Sequence, residues 1–136
     1  ETEKELVEII QQCTDSGICP SLFAFTPIQG TTLENMPQPP VETYRRIQLA
    51  RHLIIHGKTR FENMKFDNKD RIINFGIPKT QLHQIIQQGT PFCTSGCPEC
   101  NRPYYNERPG GPMYNFPRHP SPDEIDEIRR QLGEGY

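Results

Sequence analysis

The chain has 136 residues, of which 33% are hydrophobic, with 14 prolines and no tryptophan. This length fits one domain, but the composition is thin for an independent α/β domain and favours long irregular stretches or a partner surface. The net charge of −2 argues against nucleic acid or an anionic membrane as a partner, and no apolar segment is long enough to cross a bilayer.

The first predicted element is an amphipathic helix over residues 2–15. Thr2 and Glu5 have the spacing of a capping box, which predicts where this helix begins. Its predicted apolar face consists of Leu6, Ile9, Ile10 and Cys13. Cys13 is accordingly interpreted as a small buried hydrophobic residue, whereas the role of Cys19 stays open.

A short apolar run, Leu22–Thr26, ends at Pro27 and predicts a buried strand. A second helix is predicted from Pro39-Pro40 to about His56, because proline is favoured in a first helical turn. The side chains expected to face inward are Tyr44, Ile47, Ala50, Leu53 and Ile54. The basic residues of the helix, Arg45, Arg46, Arg51 and His52, are expected to form a solvated surface.

Two strand-like segments, residues 61–66 and 71–75, flank a turn-forming tetrapeptide and predict a hairpin. A third helix is predicted over residues 78–88, and a last helix after the capping box of Ser121 and Glu124. This order of helices and strands predicts an α/β architecture.

Three cysteines lie close together in a proline-rich stretch without periodicity: Cys93, Cys97 and Cys100. One tight turn can direct three thiolates with this spacing at a single point, and Gly96 and Pro98 suit such a turn. The five cysteines of the chain, an odd number with three clustered, favour metal chemistry in a reducing cytosol over a disulfide framework. The cysteine cluster predicts a soft metal ion or an iron–sulfur cluster.

The fourth ligand of such a site is left open by the sequence, since tetrahedral sites commonly have four ligands. One alternative is a structural zinc site in an interaction module, in which His119 or His83 completes a Cys₃His set. Another alternative is that the cysteines are free and reactive.

Several segments resemble the C-terminal part of radical SAM enzymes of the biotin synthase and lipoyl synthase type. Phe25-Thr-Pro-Ile-Gln-Gly-Thr31 is similar to the family's turn after a late barrel strand, and Tyr44-Arg-Arg-Ile-Gln-Leu-Ala-Arg51 is similar to the following helix. The opening residues Glu1-Thr-Glu-Lys-Glu5 resemble the segment after a glycine-rich loop in the preceding barrel unit. Together these motifs cover residues 1–75.

This resemblance implies that the chain is the C-terminal portion of a partial TIM-like radical SAM barrel. Residues 1–89 would be late βα units, and residues 90–136 would be an auxiliary cluster loop followed by a helix. The chain is then expected to be a piece of something longer, inactive by itself. Its partner would be the N-terminal half of the barrel, either upstream in the same chain or as a separate subunit.

The cysteine segment, with the stretch over residues 101–111, most resembles the tails of archaeal two-component lipoyl synthase subunits. In the complete enzyme the resemblance implies S-adenosylmethionine and a radical-generating [4Fe–4S] cluster. The cysteine triad of this chain is expected to hold a second, auxiliary [4Fe–4S] cluster that donates sulfur. It follows the late barrel units, and Glu99 stands where the radical-cluster motif typically has an aromatic residue.

The same resemblance implies substrate-binding residues. It places Phe25, Thr26, Gln29 and Lys65 near the mouth of the barrel, where packing and a solvated loop are the alternative interpretation. In the tail, Arg102, Tyr104 and Asn106 are expected to donate hydrogen bonds to cluster sulfurs. Arg102 and Arg108 are also expected to attract a small carboxylate substrate or the acidic surface of an acyl-carrying protein.

Overall fold

The computed structural model of the protein describes residues 2–96, residue 100 and residues 111–133. The helices are α1 (Glu3–Asp15), α2 (Val41–Ile55), α3 (Lys79–Gln88) and α4 (Pro122–Leu132), and the strands are β1 (Lys65–Phe66) and β2 (Ile72–Asn74). Short 3₁₀ turns lie at Phe61–Asn63 and Thr90–Phe92. No helix in these ranges combines the length and the hydrophobicity that a membrane span requires.

Helix α2 lies at the centre of the molecule, in contact with α1, α4 and the 3₁₀ turn at Thr90–Phe92. All five side chains predicted to face inward from α2 are buried, which confirms that prediction. The hydrophobic core joins residues on both sides of position 90, including Val7, Leu49, Phe116 and Ile125. The predicted division at residue 90 therefore crosses a shared core, and as a boundary between functional units it stays a prediction.

The prediction that the basic residues of α2 form a solvated surface is wrong. Arg45 is only 1% exposed and Arg51 only 9%. Each guanidinium has acceptors within the protein: Arg51 Nε donates to the Pro20 carbonyl at 2.5 Å, and Arg46 forms a forked pair with Glu3 at 2.6 Å. These charges are buried because they are paired and hydrogen-bonded.

The capping box at the start of α1 is confirmed, and the predicted apolar face is confirmed in part, since Ile10 is buried and Leu6 packs against the core. The buried residues are Glu3, Val7, Ile10 and Gln11, while Ile9 is 49% exposed. Glu3 is buried because its carboxylate accepts hydrogen bonds from Arg46 and from the Ile72 backbone N–H at 2.8 Å. The buried face of α1 therefore includes the charged residue Glu3, because Glu3 is paired with Arg46.

The strand predicted over Leu22–Thr26 is wrong, because this segment is irregular. Its surroundings supply side-chain donors instead of a strand partner: Asn115 Nδ2 donates to the Leu22 carbonyl at 3.3 Å. Just upstream, the Pro20 carbonyl accepts from Arg51. These side-chain donors satisfy backbone carbonyl groups that would otherwise need hydrogen bonds from a neighbouring strand.

The predicted hairpin is confirmed in a shorter form, with β1 and β2 antiparallel around the Asp67–Asp70 turn. The Asp67 side chain accepts hydrogen bonds from the N–H groups of Lys69 and Arg71 and stabilises that turn. Helices α3 and α4 are confirmed, and their buried side chains are Leu82, Ile85, Ile86, Ile125, Ile128 and Leu132. The described sheet consists of this hairpin alone, so the partial TIM-like barrel stays a prediction.

Candidate metal centre

The segment that carries the three cysteines is closed at its base by backbone hydrogen bonds between its two ends. The Thr94 N–H donates to the Phe116 carbonyl at 2.8 Å, and the Phe116 N–H donates to the Phe92 carbonyl at 2.9 Å. These bonds form a parallel bridge between Cys93 and Phe116. We call this closed segment, residues 93–116, the cysteine loop.

The guanidinium of Arg45 fastens the base of the cysteine loop to α2. It donates to the carbonyls of Met113 and Tyr114 at 2.5 and 2.6 Å. It also lies 5.6 Å from the ring centre of Phe92 and 5.5 Å from that of Phe116, one ring from each end of the loop. Such contacts between a cation and aromatic faces are attractive, most of all when water is excluded.

Two buried amides extend this network along α2. Gln48 Nε2 donates to the Tyr114 carbonyl at 2.8 Å and to Asn115 Oδ1 at 3.0 Å. Asn115 Nδ2 in turn donates to the hydroxyl of Tyr44 at 2.9 Å. The base of the loop is therefore held by fully buried polar groups that satisfy one another, an arrangement that specifies one geometry.

Cys93 lies at the base of the loop, half-buried, beside two backbone carbonyls. Its Sγ is 3.5 Å from the Arg118 carbonyl oxygen and 3.7 Å from that of Gly89. A thiol can donate its proton to either oxygen, and burial raises the pKa of the Cys93 thiol above its ordinary value. Without a bound cation Cys93 is therefore a thiol, and a metal ligand there must first release its proton.

Cys100 lies against the backbone of Gly96, so the chain folds back on itself within the cysteine loop. A β-carbon placed on Gly96 would be 2.7 Å from Cys100 Sγ and 3.0 Å from Cys100 Cβ. The same position would be 3.6 Å from Thr94 Oγ1, a buried hydroxyl without a hydrogen-bond partner in the described part of the chain. Gly96 is needed here because any other residue would displace the thiol.

Cys97 lies outside the described residues, as do the predicted tail residues Arg102, Tyr104, Asn106 and Arg108 and the position of Glu99. Among the described residues no three histidine, cysteine or carboxylate side chains converge on one point. The described residues include Cys93 and Cys100 but not the middle cysteine of the triad.

Of the two histidines considered as a fourth ligand, His119 lies closer to the base of the loop. Its Nδ1 is 3.3 Å from the Gln88 carbonyl oxygen, next to the Gly89 carbonyl that Cys93 contacts. His83 is exposed on α3, more than one helical turn before the C-terminal end of that helix. The fold thus brings His119 and Cys93 to the same end of α3, a proximity that their separation in sequence does not reveal.

The predicted substrate-binding residues are distributed over two parts of the surface. Phe25 contributes to an apolar cavity of about 390 Å³, which is also lined by Leu22, Met36, Tyr44 and Ile47. Of the other predicted residues, Thr26 is partly buried, and Gln29 and the β1 residue Lys65 are exposed; these three do not line the cavity. The assignment of these residues to substrate stays a prediction.

Sequence reasoning missed the polar residues that hold the loop: Arg45, Gln48 and Asn115. One signal for the first two was present, since Arg45 and Gln48 are separated by one helical turn and adjoin the apolar positions Tyr44 and Ile47. Two long polar side chains at the edge of an apolar face can reach inward to partners. No pattern in the sequence marked Asn115 or the buried hydroxyl of Thr94.

Comparison of the chain with models of protein families, with curated proteins and with solved structures finds no match in any of the three. The resemblance to radical SAM enzymes therefore depends on the motifs in the sequence alone. The fold and the cysteine loop, described from their own contacts, do not depend on it.

Proposed function

We propose that the cysteine loop holds an iron–sulfur cluster, [4Fe–4S], through Cys93, Cys97 and Cys100. In this proposal the chain is the C-terminal part of a radical SAM sulfur-insertion enzyme of the lipoyl synthase or biotin synthase type. The auxiliary cluster, when bound, supplies sulfur for the substrate. The N-terminal half of the barrel, with its S-adenosylmethionine, is the required partner.

The observation that carries the proposal is the close approach of Cys100 to Gly96. The Cys100 side chain lies directly against the Gly96 backbone, and a loop that wraps several thiolates around one centre requires such close approaches of thiol and backbone. The buried hydroxyl of Thr94 lies within the same turn and has no partner among the described residues. A hydroxyl in that position is suited to donate a hydrogen bond to a cluster sulfur or to a thiolate.

The base of the loop supports the same proposal, because buried hydrogen bonds and packed aromatic rings hold it in one position. The contacts of Arg45 and Gln48 with residues 113–115 fix one end of the loop, and the buried Phe92 fixes the other. Because the base of the loop is already ordered, less conformational entropy is lost when a cluster binds. Thiolate ligands also suit a reducing compartment, so we place the protein in the cytoplasm.

The proposal is tested by measuring iron and acid-labile sulfide in the chain after anaerobic purification and reconstitution. We expect about four iron and about four sulfide per chain, with the absorbance of a [4Fe–4S] cluster. Cys97→Ser should abolish this content. The matched control is Cys19→Ser, because Cys19 is exposed and lies on a different segment, and it should keep the full content.

Gly96→Ala gives a sharper test of the geometry. The added methyl group displaces Cys100 Sγ, so we expect a clear loss of bound iron while the fold, measured by circular dichroism, is kept. Ser95→Ala, at the exposed neighbouring position, should bind iron like the unaltered chain. A colourless protein after reconstitution, or full iron content in Cys97→Ser, would contradict the proposal.

A structural zinc site is the second candidate, favoured by the position of His119 beside the end of α3 that Cys93 contacts. It predicts one zinc per chain, no sulfide, and loss of the metal in His119→Ala. The iron–sulfur proposal predicts that His119→Ala keeps its iron. Metal analysis of this single variant separates the two candidates.

A further inference from the structure

A pair of histidines on the last turns of α2 lies apart from the cysteine loop. His52 and His56 are separated by one turn of the helix, and the His56 N–H donates to the His52 carbonyl. Their imidazole rings lie side by side, with centres 4.4 Å apart and planes inclined at 55°. His52 is half-buried, and His56, which caps the helix, is exposed to incoming ligands.

We propose that His52 and His56 form a two-histidine site for a divalent transition-metal ion. Imidazole nitrogens coordinate zinc at about 2.0–2.1 Å, so two of them bound to one ion are at most about 4.2 Å apart. Histidines at i and i+4 share one face of a helix, and with ring centres 4.4 Å apart the two imidazoles are near enough to coordinate one ion between them. Water fills the other positions on the ion, since no third ligand converges there among the described residues.

The electrostatics of the helix end partly support and partly oppose a bound cation. The C-terminus of α2 carries the negative end of the helix dipole, which favours a cation. Arg51 and Lys58 repel a cation, however. An ion bound here therefore needs a high affinity for imidazole. We expect the site to bind copper more tightly than zinc or nickel, and we expect magnesium not to compete with any of the three.

The experiment is a titration of the ¹⁵N-labelled chain with Zn²⁺, with the cysteine loop already occupied, followed by NMR of the imidazole nitrogens. The chain has four histidines, so His83 and His119 serve as internal references. We expect the nitrogens of His52 and His56 to shift together with one added ion, while His83 stays unchanged. Mg²⁺ should shift none of them.

His56→Gln is the decisive variant, because His56 is exposed and its replacement should leave the fold intact. We expect it to weaken Zn²⁺ binding at least about tenfold, which corresponds to about 1.4 kcal/mol. His83→Gln, an exposed histidine on another helix, is the matched control and should bind like the unaltered chain. An unchanged affinity in His56→Gln, or no joint shift of the pair at millimolar Zn²⁺, would overturn the site. Neither result bears on iron in the cysteine loop.

Discussion

Two long irregular segments of this protein differ in how they contact its hydrophobic core: one stays largely on the surface, and the other buries its ends. The first, residues 18–40, connects α1 to α2 and carries large hydrophobic side chains that stay exposed, among them Ile18, Ile28 and Met36. The second contains the cysteine loop, and its ends bury Phe92, Tyr114 and Phe116. Both segments are rich in proline, and neither has a helical or strand period.

The difference lies in the partners that α2 offers to each segment. The base of the cysteine loop receives hydrogen bonds from the buried side chains of Arg45 and Gln48. In the first segment the Pro20 carbonyl accepts from Arg51 of α2, but the carbonyls of Leu22 and Pro39 accept from Asn115 and Tyr114 of the cysteine loop, and the middle of the segment lies on the surface. An irregular chain is therefore buried where side-chain donors satisfy its backbone carbonyls, and this condition does not depend on its own hydrophobicity.

The largest effect is expected from a matched truncation of one phenylalanine in each segment. Phe116→Ala removes a buried ring that also contacts Arg45, so we expect it to lower the free energy of unfolding by about 3–5 kcal/mol. Phe23 is 37% exposed, and Phe23→Ala should lower it by less than about 1 kcal/mol. Urea unfolding followed by circular dichroism measures both. Equal losses of unfolding free energy would show that both segments contribute equally to stability, which contradicts the proposed difference between them.

A smaller loss is expected from removing the donor itself. Arg45→Met keeps much of the side-chain volume but removes the Arg45 donor from the Met113 carbonyl and leaves the Tyr114 carbonyl with Gln48, at a cost of about 3 kcal/mol. Arg60→Met is the control, since Arg60 forms its ion pair with Asp15 in solvent and should scarcely change the urea midpoint. If Arg45→Met proves as stable as the control, hydrophobic packing alone holds the loop.

The sequence predicted the helices well because their signals are local. Both capping boxes, at Thr2 and Ser121, begin a helix where expected, and Gly89 ends α3 in the left-handed conformation. The failures involve partners far away in the chain. Glu3 is buried by Arg46, and Leu22 bonds to Asn115 instead of a neighbouring strand.

The candidate site shows the same division. The spacing of its cysteines is local and was apparent from the sequence, as was the place of Gly96 within the turn. The role of Arg45 was not apparent, because an arginine side chain on a helix is exposed to solvent unless another part of the chain places hydrogen-bond acceptors next to it. Those acceptors are 68 and 69 residues further along the chain. No local pattern could place them there.

The smallest effect depends on pH and concerns one carboxylate for each segment: Glu124 of α4, which pairs with the second, and Glu34, which lies in the first. Glu124 pairs with Arg118 just beyond the cysteine loop, and that bond lowers the pKa of Glu124 from 4.5 to about 2. Because the folded pKa is below the unfolded one, the stabilisation is complete above pH 4.5 and is lost as the pH falls towards 2. Glu124→Gln should therefore lower the free energy of unfolding at neutral pH by about 1 kcal/mol, after allowance for partial exposure, and should match the unaltered chain near pH 2.

Glu34 is the matched residue of the first segment, an exposed carboxylate that accepts a hydrogen bond from the Gly30 N–H at 2.7 Å. Glu34→Gln should change the free energy of unfolding by less than about 0.5 kcal/mol, because an exposed contact in a surface segment stabilises little. Urea unfolding of both variants between about pH 2 and pH 7 makes the comparison. A gap between Glu124→Gln and the unaltered chain that stays constant on acidification would assign the loss to the capping geometry of Ser121 instead of to the charge. A gap that closes on acidification shows that the second segment is fastened electrostatically at its outer end as well as by hydrogen bonds at its base.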